Sequence, residues 1–311
     1  MRLRDFQPGD AEAFTEVLRH IMPFQPAQPE ALIWRATRAP ASHRNRLFVA
    51  EVGGQIVGVA RTGLTPESPV PGMAVANVLV LPEARGQGIG TRLLEACEDH
   101  LRGAGARIVA GWVSDDEASQ RFAVRHGYRR RGASTFQRLD LATANLPELP
   151  VPDGVAVRTG VDYEADPTPL YRADVEAGQD EPSMGRAADQ SYEEWRQLIW
   201  ERPDIDHTLT SVAVVDGVVA AYSLPQTDGR DRYWSGMTGT VRAYRGRGLA
   251  KLVKVDSLRR AQQAGYREAY TVNDTTNQPM LAINRWLGYQ PGYRQWRYER
   301  ELTAVTPTDP D

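Results

Sequence analysis

Three landmarks recur along this chain at almost one separation. Arg85 and Arg245 each head a run R-G-x-G and lie 160 residues apart (245 − 85). Gly127 and Gly288, each followed by Tyr, lie 161 apart (288 − 127), and the turn glycines Gly54 and Gly217 lie 163 apart (217 − 54). Independent features that keep one long period mark a duplicated unit, and the fold has to satisfy the same plan twice. At 311 residues the chain exceeds one ordinary core. Two domains are expected, at 1–140 and 155–311, joined by the proline- and small-residue-rich stretch 141–154.

Each half reads in the same order. In the first, "RLRDF" is a strand and "AEAFTEVLRHI" repeats apolar residues at helical spacing behind Asp10, a candidate N-cap. A second helix is expected near 29–38, and "RLFVAEVGGQIVGVART" is a hairpin turning at Gly53-Gly54. The strand "AVANVLVL" then runs into the glycine-rich stretch and a helix, followed by "RIVAGWV" as a strand and "DEASQRFAVRH" as a helix closed by Gly127. The second half repeats this with a hairpin at Asp216-Gly217, the strand "RYWSGMTGTV", a glycine-rich helix, the strand "EAYTVND" and the helix "NQPMLAINRWL". Strands alternating with helices give an α/β chain with mixed sheets.

The two glycine-rich stretches carry the chemistry. Glycines there let the backbone turn tightly and approach a ligand with no Cβ in the way. The amides of the loop and first helical turn then point outward at the positive end of the helix dipole, which suits a pyrophosphate. The arginine either adds a charged hydrogen bond or braces the loop. A Walker loop requires Gly-Lys-[Ser/Thr] after four spacers, and neither stretch has it. The dinucleotide fingerprint G-x-G-x-x-G fails in both, since "GQGIGT" has its third glycine in the wrong place and "GRGLAK" has none there.

Net charge sets further bounds. A formal charge of −3 provides no broad basic field for nucleic acid. Apolar runs fall short of the roughly 20 residues of a membrane helix, and "MRLRDFQPGD" has no apolar signal core. One cysteine, Cys97, allows no internal disulfide and suits a reducing compartment. The expectation is a cytoplasmic protein, monomeric or homodimeric, with no nucleic-acid or membrane partner.

The residues resemble the GNAT superfamily of acyl-CoA-dependent N-acetyltransferases, whose pyrophosphate motif is [QR]-x-x-G-x-[GA]. Arg85-Gly86-Gln87-Gly88-Ile89-Gly90 matches it, as does Arg245-Gly246-Arg247-Gly248-Leu249-Ala250. The resemblance runs over both halves, so two tandem GNAT-like acyl-CoA N-acyltransferase domains are implied. It extends in particular to the tandem, mycothiol synthase-like members found in actinobacteria, and is strongest in "TGTVRAYRGRGLAKLVK" and "TVNDTTNQPMLAINRWLGY".

The resemblance implies acetyl-CoA as co-substrate, no metal, and transfer of the acetyl group to the primary amine of a small molecule. Alternatives that stay open are a CoA-binding pseudoenzyme or regulatory protein, and transfer to a protein amino group. It implies two adjacent strands splayed apart, with pantetheine pairing to the backbone of Val78-Leu79-Val80 and Thr238-Gly239-Thr240, and both loops extending the site to Thr91 and Lys251. Where the family often has a Tyr to protonate the departing thiolate, this chain has Ala123 and Asn284. Asn284, Tyr293 and Tyr244 are therefore the catalytic candidates of the second half. Asn277 matches a family CoA contact and is equally a helix N-cap. Asp180 and Glu181, in "DVEAGQDEP", are candidates to attract the acceptor ammonium, and a solvated acidic loop is the plainer reading. Tyr128, Tyr289, His126 and Cys97 are expected to be structural. Transfer is expected in the C-terminal copy, which keeps Asn277 and Asn284, and the N-terminal copy is expected to be structural, regulatory or vestigial.

Overall fold

The computed structural model describes residues 1–180, 190–274 and 276–302. Its first repeat runs β1 (Arg2–Asp5), α1 (Ala11–Ile21), α2 (Pro29–Thr37), β2 (Arg46–Val52), β3 (Gln55–Leu64), β4 (Met73–Val80), α3 (Ile89–Gly103), β5 (Ile108–Ser114), α4 (Glu117–Arg125) and β6 (Arg129–Asp140). The second runs β7 (Val155–Thr159), α5 (Thr168–Gly178), α6 (Tyr192–Trp195), β8 (Ser211–Val215), β9 (Val218–Thr227), β10 (Arg232–Thr240), α7 (Leu249–Gln263), β11 (Glu268–Asn273), α8 (Gln278–Trp286) and β12 (Gln290–Glu301).

Both hairpins form where the turn residues require them. Gly53 and Gly54 take φ of 59° and 82°, and Asp216 and Gly217 take 49° and 79°. Two successive left-handed residues match the twist of the flanking strands. Within each repeat three antiparallel pairings build one side of a sheet, β1–β2–β3–β4 and β7–β8–β9–β10. A short parallel pairing, β4–β5 or β10–β11, follows after the crossover helix.

The chain divides into two compact units. One holds Met1–Pro23, Leu32–Ala133 and the described residues from Arg294 on; the other holds Phe24–Ala31 and Ser134–Tyr293. In the first unit β5 pairs antiparallel with β12, from Gln295↔Ser114 to Glu301↔Ile108. In the second, β11 pairs antiparallel with β6, from Glu268↔Asp140 to Asn273↔Thr135. Each unit thus completes its sheet with the last strand of the other repeat.

The cores follow the helical periodicity of the sequence. On α3, Ile89, Leu93, Leu94, Cys97 and Leu101 are buried against the first sheet. Each such side chain contributes about 1.5–3 kcal/mol through apolar burial. On α7, Leu249, Leu252, Val253, Leu258 and Ala261 do the same, but Lys254 lies in that buried stripe at 1% exposure. The segment 141–154 is not a free tether: Leu141, Leu146 and Leu149 pack into apolar clusters with α7 residues, and Gln262 Nε2 donates to the carbonyls of Leu141 and Ala144. Its leucines, set among prolines, give it an apolar face to bury. Among the described residues no helix is long and apolar enough to cross a membrane.

Candidate active site

In the first unit, β4 and β5 pair only from Met73↔Ile108 to Val75↔Ala110. Two residues mark the point where the backbone ladder stops. Asn77 Oδ1 accepts from the Trp112 N–H at 3.0 Å, supplying by side chain a bond that a continuing strand would make by backbone. Gly111 lies so close to β4 that a Cβ there would sit 2.7 Å from the Ala76 carbonyl oxygen. Beyond this point a cleft of about 590 Å³ opens. Its walls include Val78, Leu79 and Val80 of β4, Arg85, Gly86, Gly88, Ile89, Gly90 and Thr91 of the loop and α3, and Phe122 and Ala123 of α4.

The loop beside that cleft has a definite geometry. Gly86 and Gly88 both take φ of 77°, left-handed positions that glycine occupies without strain. Among the described residues, a Cβ on either would meet no atom within 4 Å, so the backbone surface stands open. The first bond of the helical ladder here runs from Arg92 N–H to the Gly88 carbonyl at 3.2 Å. The amides of Ile89, Gly90 and Thr91 therefore precede that ladder. Arg85 Nε donates to the Val80 carbonyl at 3.1 Å, so this arginine braces the loop onto the end of β4. Gly90 serves packing, because a Cβ there would already lie 3.3 Å from the Phe122 ring.

The second loop repeats this. Gly246 and Gly248 take φ of 77°, Arg245 Nε donates to the Thr240 carbonyl at 3.1 Å, and the ladder of α7 begins with Leu252 N–H to the Gly248 carbonyl. Here β10 and β11 pair only as far as Trp234↔Tyr270, and the register of β10 with β9 shifts between Trp234 and Met237. The remaining second-loop residues take packing positions. Leu249 is buried in the core, Ala250 stands where the first loop has Gly90, the Arg247 guanidinium lies 5.7 Å from the Tyr244 ring, and the Lys251 ammonium lies 4.7 Å from that of Trp286.

Two carboxylates from α5 and its C-terminal end lie beside the second loop. Asp180 accepts from Arg242 Nε at 2.8 Å and pairs with Arg245 Nη2 at 2.7 Å. Those two guanidinium groups hold its carboxyl well below the usual carboxylate range. Glu176 Oε1 accepts from the Arg242 N–H at 3.0 Å. The geometry thus puts Asp180 beside the loop rather than in an isolated acidic patch. Glu181, its expected companion, lies outside the described residues.

The other candidates are placed as follows. Asn277 caps α8, its Oδ1 accepting from the Met280 N–H at 3.3 Å. Thr238 Oγ1 lies 3.2 Å from Ser223 Oγ, and a Cβ at Gly239 would meet the Tyr222 hydroxyl at 2.5 Å. That hydroxyl donates to Asp174 Oδ1 at 2.6 Å, while Trp195 Nε1 donates to Asp174 Oδ2 at 2.7 Å, so a fully buried carboxylate underlies β10. Tyr293 stacks on Phe24 at 4.4 Å between ring centroids. Asn284 is fully buried; its Oδ1 accepts from Lys254 Nζ, and its Nδ2 donates to Gln137 Oε1 and Asn273 Oδ1, each at 2.7 Å.

Tyr128 and Tyr289 are buried, and burial pushes both hydroxyls far above the ordinary tyrosine range. Tyr128 donates to Glu98, a buried carboxylate that also accepts from Arg300 on β12. Lys254 and Glu98 are buried ionisable groups that reading the sequence for motifs passed over, whereas Asp174, one of the carboxylates of the run "DVEAGQDEP", is buried beneath Tyr222 and Trp195 rather than solvated. Aligning the repeats residue by residue singles out Lys254, because its counterpart 160 positions earlier (254 − 160) is Leu94.

A sequence model of the acetyltransferase (GNAT) family matches residues 11–128. Residues 11–128 carry a GNAT acetyltransferase domain. Along most of its length it is similar to mycothiol acetyltransferases. That of Nocardia farcinica is 29% identical over 257 residues, covering 80% of this chain and 80% of the relative. That of a Nocardioides species is 28% identical over 227 residues, covering 68% and 75%. In fold it is similar to a tandem GNAT protein from the clavulanic acid biosynthesis pathway, with a TM-score of 0.75 at 22% identity over 99% of both chains. A GCN5-related N-acetyltransferase from Sphaerobacter thermophilus gives 0.69 at 23% identity, over 96% of this chain and 95% of the other. The GNAT fold therefore accounts for both repeats. GNAT acetyltransferases take acetyl-CoA as co-substrate.

Proposed function

We propose that the protein moves an acetyl group from acetyl-CoA to the primary amine of a small molecule, that both glycine-rich loops hold CoA, and that the transfer takes place in the C-terminal copy. One observation carries the last point. At the depth where the first cleft is lined by Leu94 and Ala123, the second repeat has the polar pair Lys254 and Asn284. A group that breaks a thioester needs proton chemistry at that depth, and two hydrocarbon side chains supply none. The match in loop dihedrals and arginine brace supports CoA binding at both loops. The likeness to mycothiol acetyltransferases makes amines of the mycothiol class the first acceptors to try.

The amine attacks only when neutral, and an alkylammonium has a pKa of about 10.4, so it must first give a proton to water or a base. In this reading, backbone N–H groups of β10 past its bulge polarise the thioester carbonyl. A second reading seats transfer in the N-terminal copy, and the open cleft there favours it.

The test separates the two. Valine at Gly88 or Gly248 is forced into a left-handed conformation that β-branched residues avoid, and its branches cover the amides. With a panel of free amines as acceptors, Gly248→Val abolishes turnover and Gly88→Val leaves it largely intact. The reverse result moves the chemistry to the N-terminal copy. Calorimetry with CoA shows each variant losing one of two binding events.

A further inference from the structure

Lys254 is the sixth residue of α7, as Leu94 is of α3, and Asn284 is the seventh of α8, as Ala123 is of α4. In the first unit the Leu94 and Ala123 positions line the cleft that opens between the splayed strands. Their counterparts in the second unit hold an ammonium and the carboxamide that orients it, at 2.7 Å. Asn284 is held in turn by Asn273, at the end of β11 where that strand has left β10, and by Gln137 of β6. The carboxamide cannot rotate without breaking two bonds, so its oxygen stays fixed on Lys254.

What surrounds the ammonium is nearly neutral. From α8 come Met280 Sδ at 3.8 Å and Asn284; from beyond α8 comes the Tyr289 ring at 5.4 Å. Among the described residues no carboxylate pairs with Lys254, at 1% exposure. An unpaired buried cation is costly to keep unless something uses it. The departing CoA thiolate is the anion that acetyl transfer generates, and no tyrosine stands at the family position to meet it.

We propose that Lys254, aimed by Asn284, delivers the proton to the departing CoA thiolate in the C-terminal copy. This rests on the reading that transfer is seated there. In the step, the amine nitrogen forms a bond to the thioester carbonyl carbon, the C–S bond breaks, and its electron pair goes to sulfur. An Nζ proton passes to that sulfur and leaves Lys254 neutral. The nitrogen of the new amide releases its extra proton to water, and Lys254 regains one from water before the next turnover. Burial pushes the Lys254 ammonium down to about 7, below the roughly 8.5 of an ordinary thiol, so the transfer to sulfur runs downhill.

The test needs no acceptor and uses CoA as the probe. In the full chain carrying Gly88→Val, CoA is bound at the second loop and its thiolate is followed by ultraviolet absorbance against pH. Below about pH 7, where Lys254 still carries its proton, the bound thiol ionises about tenfold more readily than free CoA, as a thiol beside a cation does, and the difference closes as Lys254 deprotonates. Adding Lys254→Met returns it to the free value. Lys254→Gln, which keeps a hydrogen bond to Asn284 without the charge, does the same. A bound thiol that titrates alike with and without Lys254 overturns the assignment. Adding Gly248→Val must abolish the bound signal; CoA binding that survives it overturns the placement of the site itself, and the proposal with it.

Discussion

Replacing Lys254 by methionine should change how stability depends on pH, with a sign and size that follow from burial. The folded state holds this ammonium at about 7 against its ordinary 10.5. Between those values the unfolded chain carries a proton that the folded chain lacks, so stability rises with pH across that window. One group contributes about 1.4 kcal/mol per pH unit there, or about 2 kcal/mol between pH 7.5 and 9. At 1% exposure the side chain is beyond the reach of solvent screening. Methionine is close in volume and lacks the charge, so Lys254→Met is the more stable protein at pH 7.5. The gain is reduced by about 1–2 kcal/mol for leaving Asn284 Oδ1 without its donor. Urea unfolding followed by circular dichroism at both pH values gives the test. The advantage of the variant shrinks by about 2 kcal/mol from pH 7.5 to 9, because every other group titrates equally in the two proteins. An advantage constant to within about 0.5 kcal/mol, which is the scatter of ordinary surface changes, refutes the reasoning.

Further expectations follow from other buried or paired groups. Burial pushes the Cys97 thiol up to about 12, so a disulfide reagent at pH 8 leaves the native protein unlabelled and labels it once unfolded; fast native labelling contradicts that placement. Asp180→Asn removes a carboxylate from Arg242 and Arg245, and calorimetry in the Gly88→Val background then shows tighter CoA binding; unchanged affinity means that the carboxylate does not compete with pyrophosphate. Glu98→Ala removes the acceptor of Arg300 and of the buried Tyr128 hydroxyl and costs about 1–3 kcal/mol, seen as a lowered melting temperature of the first unit; an unchanged melting temperature dismisses the network as a stabilising one.

The element order was legible because hairpin turns, glycine loops and capped helices each rest on local rules, such as Asp216-Gly217 at a left-handed turn and Asn277 at a helix start. The exchange of β6 and β12 was not. Both strands follow a Gly-Tyr corner and alternate in the same manner, so either could close either sheet, and partner choice depends on packing far away in sequence. Asp180 was misleading for a similar reason: "GQDEP" reads as an acidic loop, and nothing local reveals that Arg242 and Arg245 meet it. Lys254 was concealed by its own chemistry. Within "LAKLVKVDSL" a lysine is assumed to face water, and only its repeat counterpart Leu94 shows that the position faces inward.

The crossed strands bear on what a protease could accomplish. A single cut in 141–154 would yield two fragments of nearly equal length, and neither would own a finished sheet. The N-terminal piece would hold β5 but not β12, and the C-terminal piece β11 but not β6. Such a nicked molecule is held together by hydrogen-bonded ladders instead of a peptide bond, and it should migrate as one species until denaturant is added. The duplication has in this sense become irreversible: two descendants of one ancestral domain have each surrendered a strand to the other, and neither can be returned to a solitary existence by scission alone.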